Sequence, residues 1–464
     1  MSMSSRYPSL PYLPPILMLA GLFFVAGCSD MVSLESTERD AFGPETAVRT
    51  SQVDGRDVTA WGRSIQARSK KARHFSLLDR AIVSTDARKI IAGSDSVRLL
   101  LGTRAGAASD PALEAVLDKY KIFNRFEYRS ALRGVAVTMP AAQVDSFMAD
   151  ADALSAVSSI EPDAEMSYGA GADGTVTATS QEIPWAIRNS GADRSSTLAG
   201  NGGGAVDVDL YVLDTGVESS DVNVVECLEF TRRREPVPCT SASDADGHGT
   251  GVALAAAARD DQSGIVGVAP GARVHAIKAL REKGNTPLSV LVAVVDFLTE
   301  RKLADPSVPM VVNISMGADV KTTRYNALDE AIEASIAAGV VYVLAAGNNA
   351  TSAENVSPAH VAEAITVGAH DAAGRFSSFS NHGPVLDILA PGEDVLTMTT
   401  RNELSHTSGT SLAAPFVAGA AALLLSQEPS LTPAQVRDRI VEHAQATVTG
   451  MPSETTDKAL FVNW

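Results

Sequence analysis

Three short stretches of this chain hold residue types and settings suited to covalent chemistry. Ser411 lies in Ser405-His406-Thr407-Ser408-Gly409-Thr410-Ser411-Leu412-Ala413-Ala414-Pro415, where a polar, glycine-containing turn runs into the apolar segment 413–425. A serine opening a helix there has its hydroxyl mounted at a turn, and the helix N-terminus turns unpaired N–H groups toward developing negative charge. Serine is equally a common helix cap, so its partners decide. Two runs offer them: Val212-Leu213-Asp214-Thr215-Gly216 after an apolar strand, and Asp246-Gly247-His248-Gly249-Thr250 before an alanine-rich helix. Asp214, His248 and Ser411, in that order, match one of the known chain orders of a hydrolytic triad, in which the aspartate orients the imidazole and the imidazole takes the serine proton. An Asp-Thr-Gly triplet also occurs in aspartic proteases, but those need two such carboxylates and this chain has one such triplet.

With these motifs the sequence resembles the subtilisin-like serine proteases, particularly the proteinase K branch, over about 181–464. The resemblance implies an α/β fold, a subtilisin-like parallel sheet flanked by helices, preceded by a small α+β propeptide domain that acts as inhibitor and chaperone. It implies a serine endopeptidase that forms an acyl-enzyme, needs no cofactor for catalysis, and acts on proteins or peptides. Asn348, in Ala345-Ala346-Gly347-Asn348-Asn349, matches the family's oxyanion-hole position. Ser315, Met316 and Gly317 match the strand lining the primary specificity pocket, with Ala345, Ala346 and Gly347 opposite, which implies apolar or aromatic P1 residues with loose preference. Asp387 and the carbonyls of Ala362 and Ala364 match a structural calcium site, although an aspartate ahead of a strand is also a common turn residue. Departures from the family pattern are Gly251, Leu254, Leu412 and Phe416. A further one, Glu282-Lys283-Gly284-Asn285-Thr286-Pro287, stands where the family has a glycine-rich edge strand. Proline cannot donate to a ladder, so substrate pairing beyond the second subsite is not expected there. The second class of function consistent with the motifs is a catalytically silent surface lipoprotein that only binds peptides.

The elements that must position these residues read as follows. Strands at 206–213, 272–279, 310–314, 340–345, 364–367 and 386–389 alternate with helical patterns at 250–259, 289–301, 325–338, 411–426 and 433–443, which makes a buried parallel sheet. Reactive groups gather at the carboxyl ends of such strands, and Asp214 ends one. Upstream, strands 97–101, 134–139 and 156–160 with helices 112–120 and 141–151 form a small α+β unit within 87–167, the propeptide candidate. Residues 168–180, rich in Gly, Ala, Ser and Thr, read as an exposed connector and a processing segment. Self-cleavage is expected within 166–180, with Met166 or Tyr168 in the apolar pocket, so that the propeptide becomes an intramolecular inhibitor.

The chain has 464 residues and a formal net charge of -17; it is too long for one ordinary core, and the charge argues against a nucleic-acid partner. An apolar run at 16–26 reads as a signal-peptide core, so 1–27 is expected to direct export. It ends Val25-Ala26-Gly27-Cys28, which resembles a bacterial lipobox and implies lipidation of Cys28, with a precursor anchored to a bacterial cell membrane, the outer one in this reading, and a releasable catalytic part. An ordinary small-residue cleavage site is the alternative. Residues 28–86 read as a polar tether. The chain has three cysteines; Cys227 and Cys239 remain as a pair that either bridges or stays as two thiols. The other histidines show no zinc-ligand spacing.

Overall fold

The computed structural model describes residues 96–464, apart from 105–109, 124, 169–170, 178–179, 198, 200–205, 231–235, 240–243, 282–283, 321–324 and 402. All of these described residues lie in one unit of the chain. The 1–27 segment, Cys28, the whole of the 28–86 tether and its boundary at 87 fall outside the described residues.

The first described layer is a four-stranded sheet of β1 (Ser96–Thr103), β2 (Arg125–Tyr128), β3 (Gly134–Pro140) and β4 (Val157–Pro162), in the order β2-β3-β1-β4. Alternation places Val97, Leu99 and Leu101 of β1 against α1 (Pro111–Lys119) and α2 (Val144–Asp152), which contribute Leu113, Leu117, Val144 and Phe147 to a core of their own. Asp110 caps α1, its carboxylate accepting from the Ala112 and Leu113 N–H groups. Residues of the opposite face, Leu100, Tyr128 and Ala136, join a different core, that of the C-terminal part of the chain.

Two strands then follow where a connector was expected: β5 (Glu165–Ser167) and β6 (Gly171–Thr177). Small and polar residues gave no burial signal, but Met166 is 1% exposed, packed in the same core as Leu280, Leu288 and Met316. Both strands are held by main-chain pairing to edges elsewhere, which composition does not reveal.

The C-terminal part is built on β7 (Asp209–Asp214), β8 (Val224–Glu229), β9 (Val237–Pro238), β10 (Arg273–Lys278), β11 (Asn285–Pro287), β12 (Met310–Ile314), β13 (Ala318–Asp319), β14 (Val341–Ala345), β15 (Val356–Ser357), β16 (Ile365–His370), β17 (Ile388–Pro391), β18 (Val395–Met398), β19 (Glu403–Ser408), β20 (Gln445–Ala446) and β21 (Lys458–Ala459). Ten of these form one sheet in the order β20-β21-β17-β16-β14-β12-β7-β10-β8-β9, with parallel pairing throughout except at its two ends. The central strand β7 shows why both faces are apolar. Leu210 and Val212 pack with α3 (Trp185–Asn189), α4 (His248–Ala257) and α7 (Thr410–Gln427), while Tyr211 and Leu213 pack with α5 (Leu288–Ala304) and α6 (Ala327–Ala337). Helix α7 is long and apolar enough by composition to cross a membrane, but it is a core helix, buried against the sheet. Cys227 on β8 and Cys239 beyond β9 form a disulfide that closes the sheet's last hairpin.

The N-terminal layer is fastened to α5 and α6 by carboxylates at helix ends. Asp163 accepts from the Ser289 N–H and hydroxyl, both at 2.8 Å, at the start of α5, and Glu161 accepts from the Ala327 N–H at the start of α6. Each satisfies a donor that the helix itself leaves unpaired. In return, Asp296 of α5 accepts from three successive N–H groups, those of Arg129, Ser130 and Ala131.

Candidate active site

Asp214 ends β7 and is 0% exposed. Its Oδ1 accepts from the Thr215 N–H at 2.7 Å and lies 2.8 Å from Nδ1 of His248. His248 is the first residue of α4, and the turn before it is fixed by buried Asp244. One carboxylate oxygen of Asp244 accepts from the Asp246 and Gly247 N–H groups and the other from the N–H and hydroxyl of Thr250. Glycine at 249 is a requirement of packing: a Cβ there would meet the Gly216 carbonyl oxygen at 2.2 Å and the Asp214 Cβ at 2.9 Å. The Gly-His-Gly pattern therefore records how closely α4 approaches the end of β7.

Ser411 is the second residue of α7 and is 1% exposed. Pro415 lacks the N–H that would otherwise reach the Ser411 carbonyl in the first turns of this helix. The Ser315 hydroxyl supplies that bond instead at 2.9 Å, and Asn313 holds Ser315 at 2.8 Å. Two buried atoms face the remaining space, Nε2 of His248 and Oγ of Ser411, neither hydrogen-bonded to the described residues. With Nδ1 committed to Asp214, Nε2 is the nitrogen left to accept a proton from a hydroxyl, and such contacts are often loose until substrate closes them.

Asn348 lies just past β14. Its Oδ1 accepts from the Thr410 N–H at 2.8 Å and from the Thr410 hydroxyl at 2.9 Å, which fixes the amide beside Ser411 and turns its N–H₂ side away from Thr410. The loop carrying it is stapled by Asn381, which donates to the Ala346 carbonyl and accepts from the Asn349 and Thr351 N–H groups. Gly347 sits at φ 102°, and a Cβ there would meet the Asn381 amide at 2.4 Å. Residues Ser315, Met316, Gly317, Ala345, Gly347, Asn348 and Ser411 line one cavity of about 240 Å³ together with Asp319, Val356, Asn381 and Thr410. Ala346 is buried behind it at 0% exposure. Sequence reasoning did not find Asp244, Asn381 or Thr410, whose polar links span up to 63 residues and have no local pattern.

The chain itself is held against the residues around this centre. Ser167 and Gly317 exchange both main-chain hydrogen bonds, at 3.1 and 2.9 Å. The Tyr168 ring stacks on the His248 imidazole, centroids 3.7 Å apart, and its hydroxyl donates to Asp246. Gly171 then pairs with Ser408, three residues before Ser411. Met166 thus does not sit where a P1 side chain was expected, being in the core, while Tyr168 covers the histidine and also lines the cavity beside Ser411. The doubt over Asn285-Thr286-Pro287 is also corrected. These residues pair antiparallel with Ser167, Met166 and Glu165. The proline stands opposite the last of these, and the next N–H, that of Leu288, reaches the Ala164 carbonyl, so the missing donor is not needed.

The calcium expectation does not fit the residues. Arg437 donates its guanidinium to the Ala362 carbonyl, one of the oxygens calcium would require. Asp387 accepts from the Thr366 N–H at 2.9 Å, and burial pushes its carboxyl up to about 6 against the pull of Arg437. Ala364 is buried, its N–H bonded to Val361. A protein cation already serves this carboxylate. Among the described residues no three His, Cys, Asp or Glu side chains gather as a metal site.

A parallel α/β sheet presenting Asp, His and Ser at one rim defines a hydrolase of the acyl-transfer kind. Residues 207–459 match the model of the subtilase family. The chain is 35% identical over 265 residues to subtilisin DY of Bacillus licheniformis, covering 56% of this chain and 90% of that one. It is 34% identical to an extracellular serine proteinase of a Thermus strain, covering 69% and 73%, and 33% identical to an alkaline protease of Alkalihalobacillus alcalophilus, covering 70% and 78%. A crystal structure of a cold adapted subtilisin-like serine proteinase aligns at 32% identity and a TM-score of 0.48, over 55% of this chain and 88% of that one. The chain belongs to the subtilase family and is a subtilisin-like serine protease.

Proposed function

We infer that this chain is an exported serine endopeptidase that matures by cutting itself, and the observation that carries this is that its own backbone pairs with Gly317 at Ser167 and with Ser408, three residues before Ser411, at Gly171. Ser411 is the nucleophile. His248 accepts its proton at Nε2 and returns it to the leaving amine, while Asp214 holds the tautomer and stabilises the imidazolium. The Asn348 amide and the Ser411 N–H receive the negative oxygen of the tetrahedral intermediate. Cleavage falls between Tyr168 and Gly171, because Ser167 is held on one side of Ser411 and Gly171 on the other. The cavity beside Ser411, with Met316, Ala345 and Val356 in its walls, suits apolar P1 side chains with broad tolerance.

Residues 87–167 then act as the propeptide inhibitor, 168–180 as the segment cut and trimmed, and 181–464 as the catalytic domain. The signal at 1–27 and a lipid on Cys28 anchor the precursor to a bacterial cell membrane, and cutting releases the catalytic part. A relative is named an extracellular proteinase, which supports export. Purified protein should hydrolyse casein, and the mature chain should begin within 169–171. A mature chain beginning at Cys28, or one that leaves casein intact, overturns this reading.

Release of the inhibitor should depend on pH. Loss of water around its carboxyl pushes Glu161 up to about 8, with Glu330 and Asp329 acting in the same sense, and burial also raises Asp163. A released Glu161 titrates near 4.5, so between about 4.5 and 8 the docked form holds a proton that the released form does not. Docking is therefore strongest at the acid end of that window and weakens as pH rises through it, by up to about tenfold per pH unit for one linked proton. After cleavage, activity should appear faster at pH 8 than at pH 6, and Glu161→Gln should flatten the difference. A difference of equal size in Glu161→Gln would assign it to other groups.

A further inference from the structure

Val356, in the wall of the cavity beside Ser411, belongs to β15, a strand of two residues paired antiparallel with β13. The strand presses on Gly317: a Cβ there would meet the Ser357 carbonyl oxygen at 2.9 Å and a Val356 methyl at 3.0 Å. It is also gripped by two buried groups, Asp329, the third residue of α6, and His360. One oxygen of Asp329 accepts from the Ser357 hydroxyl at 2.7 Å. The other accepts from the Asn326 N–H at 2.9 Å and lies 2.8 Å from Nε2 of His360. Nδ1 of His360 lies 3.0 Å from the Glu354 carbonyl, and the His360 N–H donates to the Val356 carbonyl at 3.0 Å. Both ring nitrogens face acceptors, so the ring donates from both and is an imidazolium against the Asp329 carboxylate. Burial opposes that charge, but the bonds to Asp329 and Glu354 outweigh it and hold His360 above the ordinary histidine range. The Tyr325 ring stacks on the imidazole, centroids 5.1 Å apart.

We propose that Asp329 and His360 are positioning residues for substrate selection: through Ser357 and the Val356 carbonyl they fix the Val356 wall, and so the size of side chain that the cavity accepts. This rests on the reading of that cavity as the P1 site and adds the residues that set its dimensions. A buried polar cluster with both carboxylate oxygens and both ring nitrogens bonded is rigid. A wall held by it neither retreats before a larger side chain nor closes on a smaller one, so a missing or extra methylene costs binding. Freed from Asp329, the wall adapts and discrimination falls.

Mature parent, Asp329→Asn and Ser357→Ala enzymes, each given peptides that differ only in an alanine, leucine or phenylalanine at P1, test this. Asparagine keeps the size of the side chain but removes the charge opposite His360. Ser357→Ala leaves the Asp329 bonds to Asn326 and His360 whole and serves where the first variant does not fold. The ratio of kcat/KM between the best and the poorest P1 residue should fall about fivefold in Asp329→Asn and about twofold in Ser357→Ala, carried by KM, because the wall meets the side chain in ground state and transition state alike. The rate at which a small fluorophosphonate labels Ser411 should stay at the parent's. The double variant should fall no further than Asp329→Asn, since Ser357 acts through Asp329. An unchanged ratio in both variants, or one common fall of every kcat/KM and of the labelling rate, overturns the proposal and leaves the hydrolytic reading standing. A parent that cuts all three peptides alike overturns the P1 reading of the cavity, and the proposal falls with it.

Discussion

Ser411→Ala should lower kcat by about 10⁶-fold while leaving the fold intact, a magnitude known from the nucleophile of subtilisin, a member of this family. The side chain is 1% exposed, yet its Oγ has no hydrogen bond among the described residues, so removing it leaves no partner unsatisfied. The Ser411 carbonyl keeps its bond from Ser315 and α7 keeps its core residues. The variant should also remain as the uncut precursor when made in a host without other proteases, since on the proposed reading the chain cuts itself and this variant lacks the nucleophile. A circular dichroism melt matching that of an uncut wild-type precursor, together with absent casein hydrolysis, is the expected pair of results. Processing at the normal rate in this variant would mean that another protease does the cutting.

Asn348→Ala should reduce kcat about 10²- to 10³-fold with KM nearly unchanged, again the scale established for the corresponding subtilisin donor. The amide is held by Thr410, with its oxygen toward the helix start and its donor side away from it, so it is oriented before substrate arrives. A preorganised donor aimed at charge that exists only in the transition state acts on kcat. Steady-state kinetics on a small peptide substrate separate the two parameters. A rise in KM with kcat preserved would make Asn348 a ground-state binding residue.

Most of the catalytic layout is legible in the chain because close approach leaves marks on residue type. Gly249 is glycine because Gly216 and Asp214 crowd it, and Asp214 follows apolar residues because β7 is buried on both faces. The helices and central strands follow from apolar patterns that are long enough to read. Strand β2, four residues with Arg125 and Glu127 on it, is too short and too charged to stand out. Strands β5 and β6 escape for another reason: they are held by the edges of β11 and β19, and main-chain pairing can be made by almost any residue. The calcium reading fails because the competing cation, Arg437, lies 75 residues from Ala362 and carries no local sign of where it points. Asp244 and Asn381 are missed in the same way, since a side chain stapling several N–H groups looks like any other turn residue until the chain is folded.

The central claim is that Ser411, prepared by His248 and Asp214, forms the covalent intermediate. The most direct measurement is labelling of the mature protein with a serine-directed fluorophosphonate, followed by peptide mass mapping. Label on Ser411, rising to one equivalent in step with the loss of casein hydrolysis and absent after His248→Ala, is the predicted result. Complete inactivation with the label elsewhere, or full hydrolysis by protein quantitatively labelled at Ser411, would contradict the account.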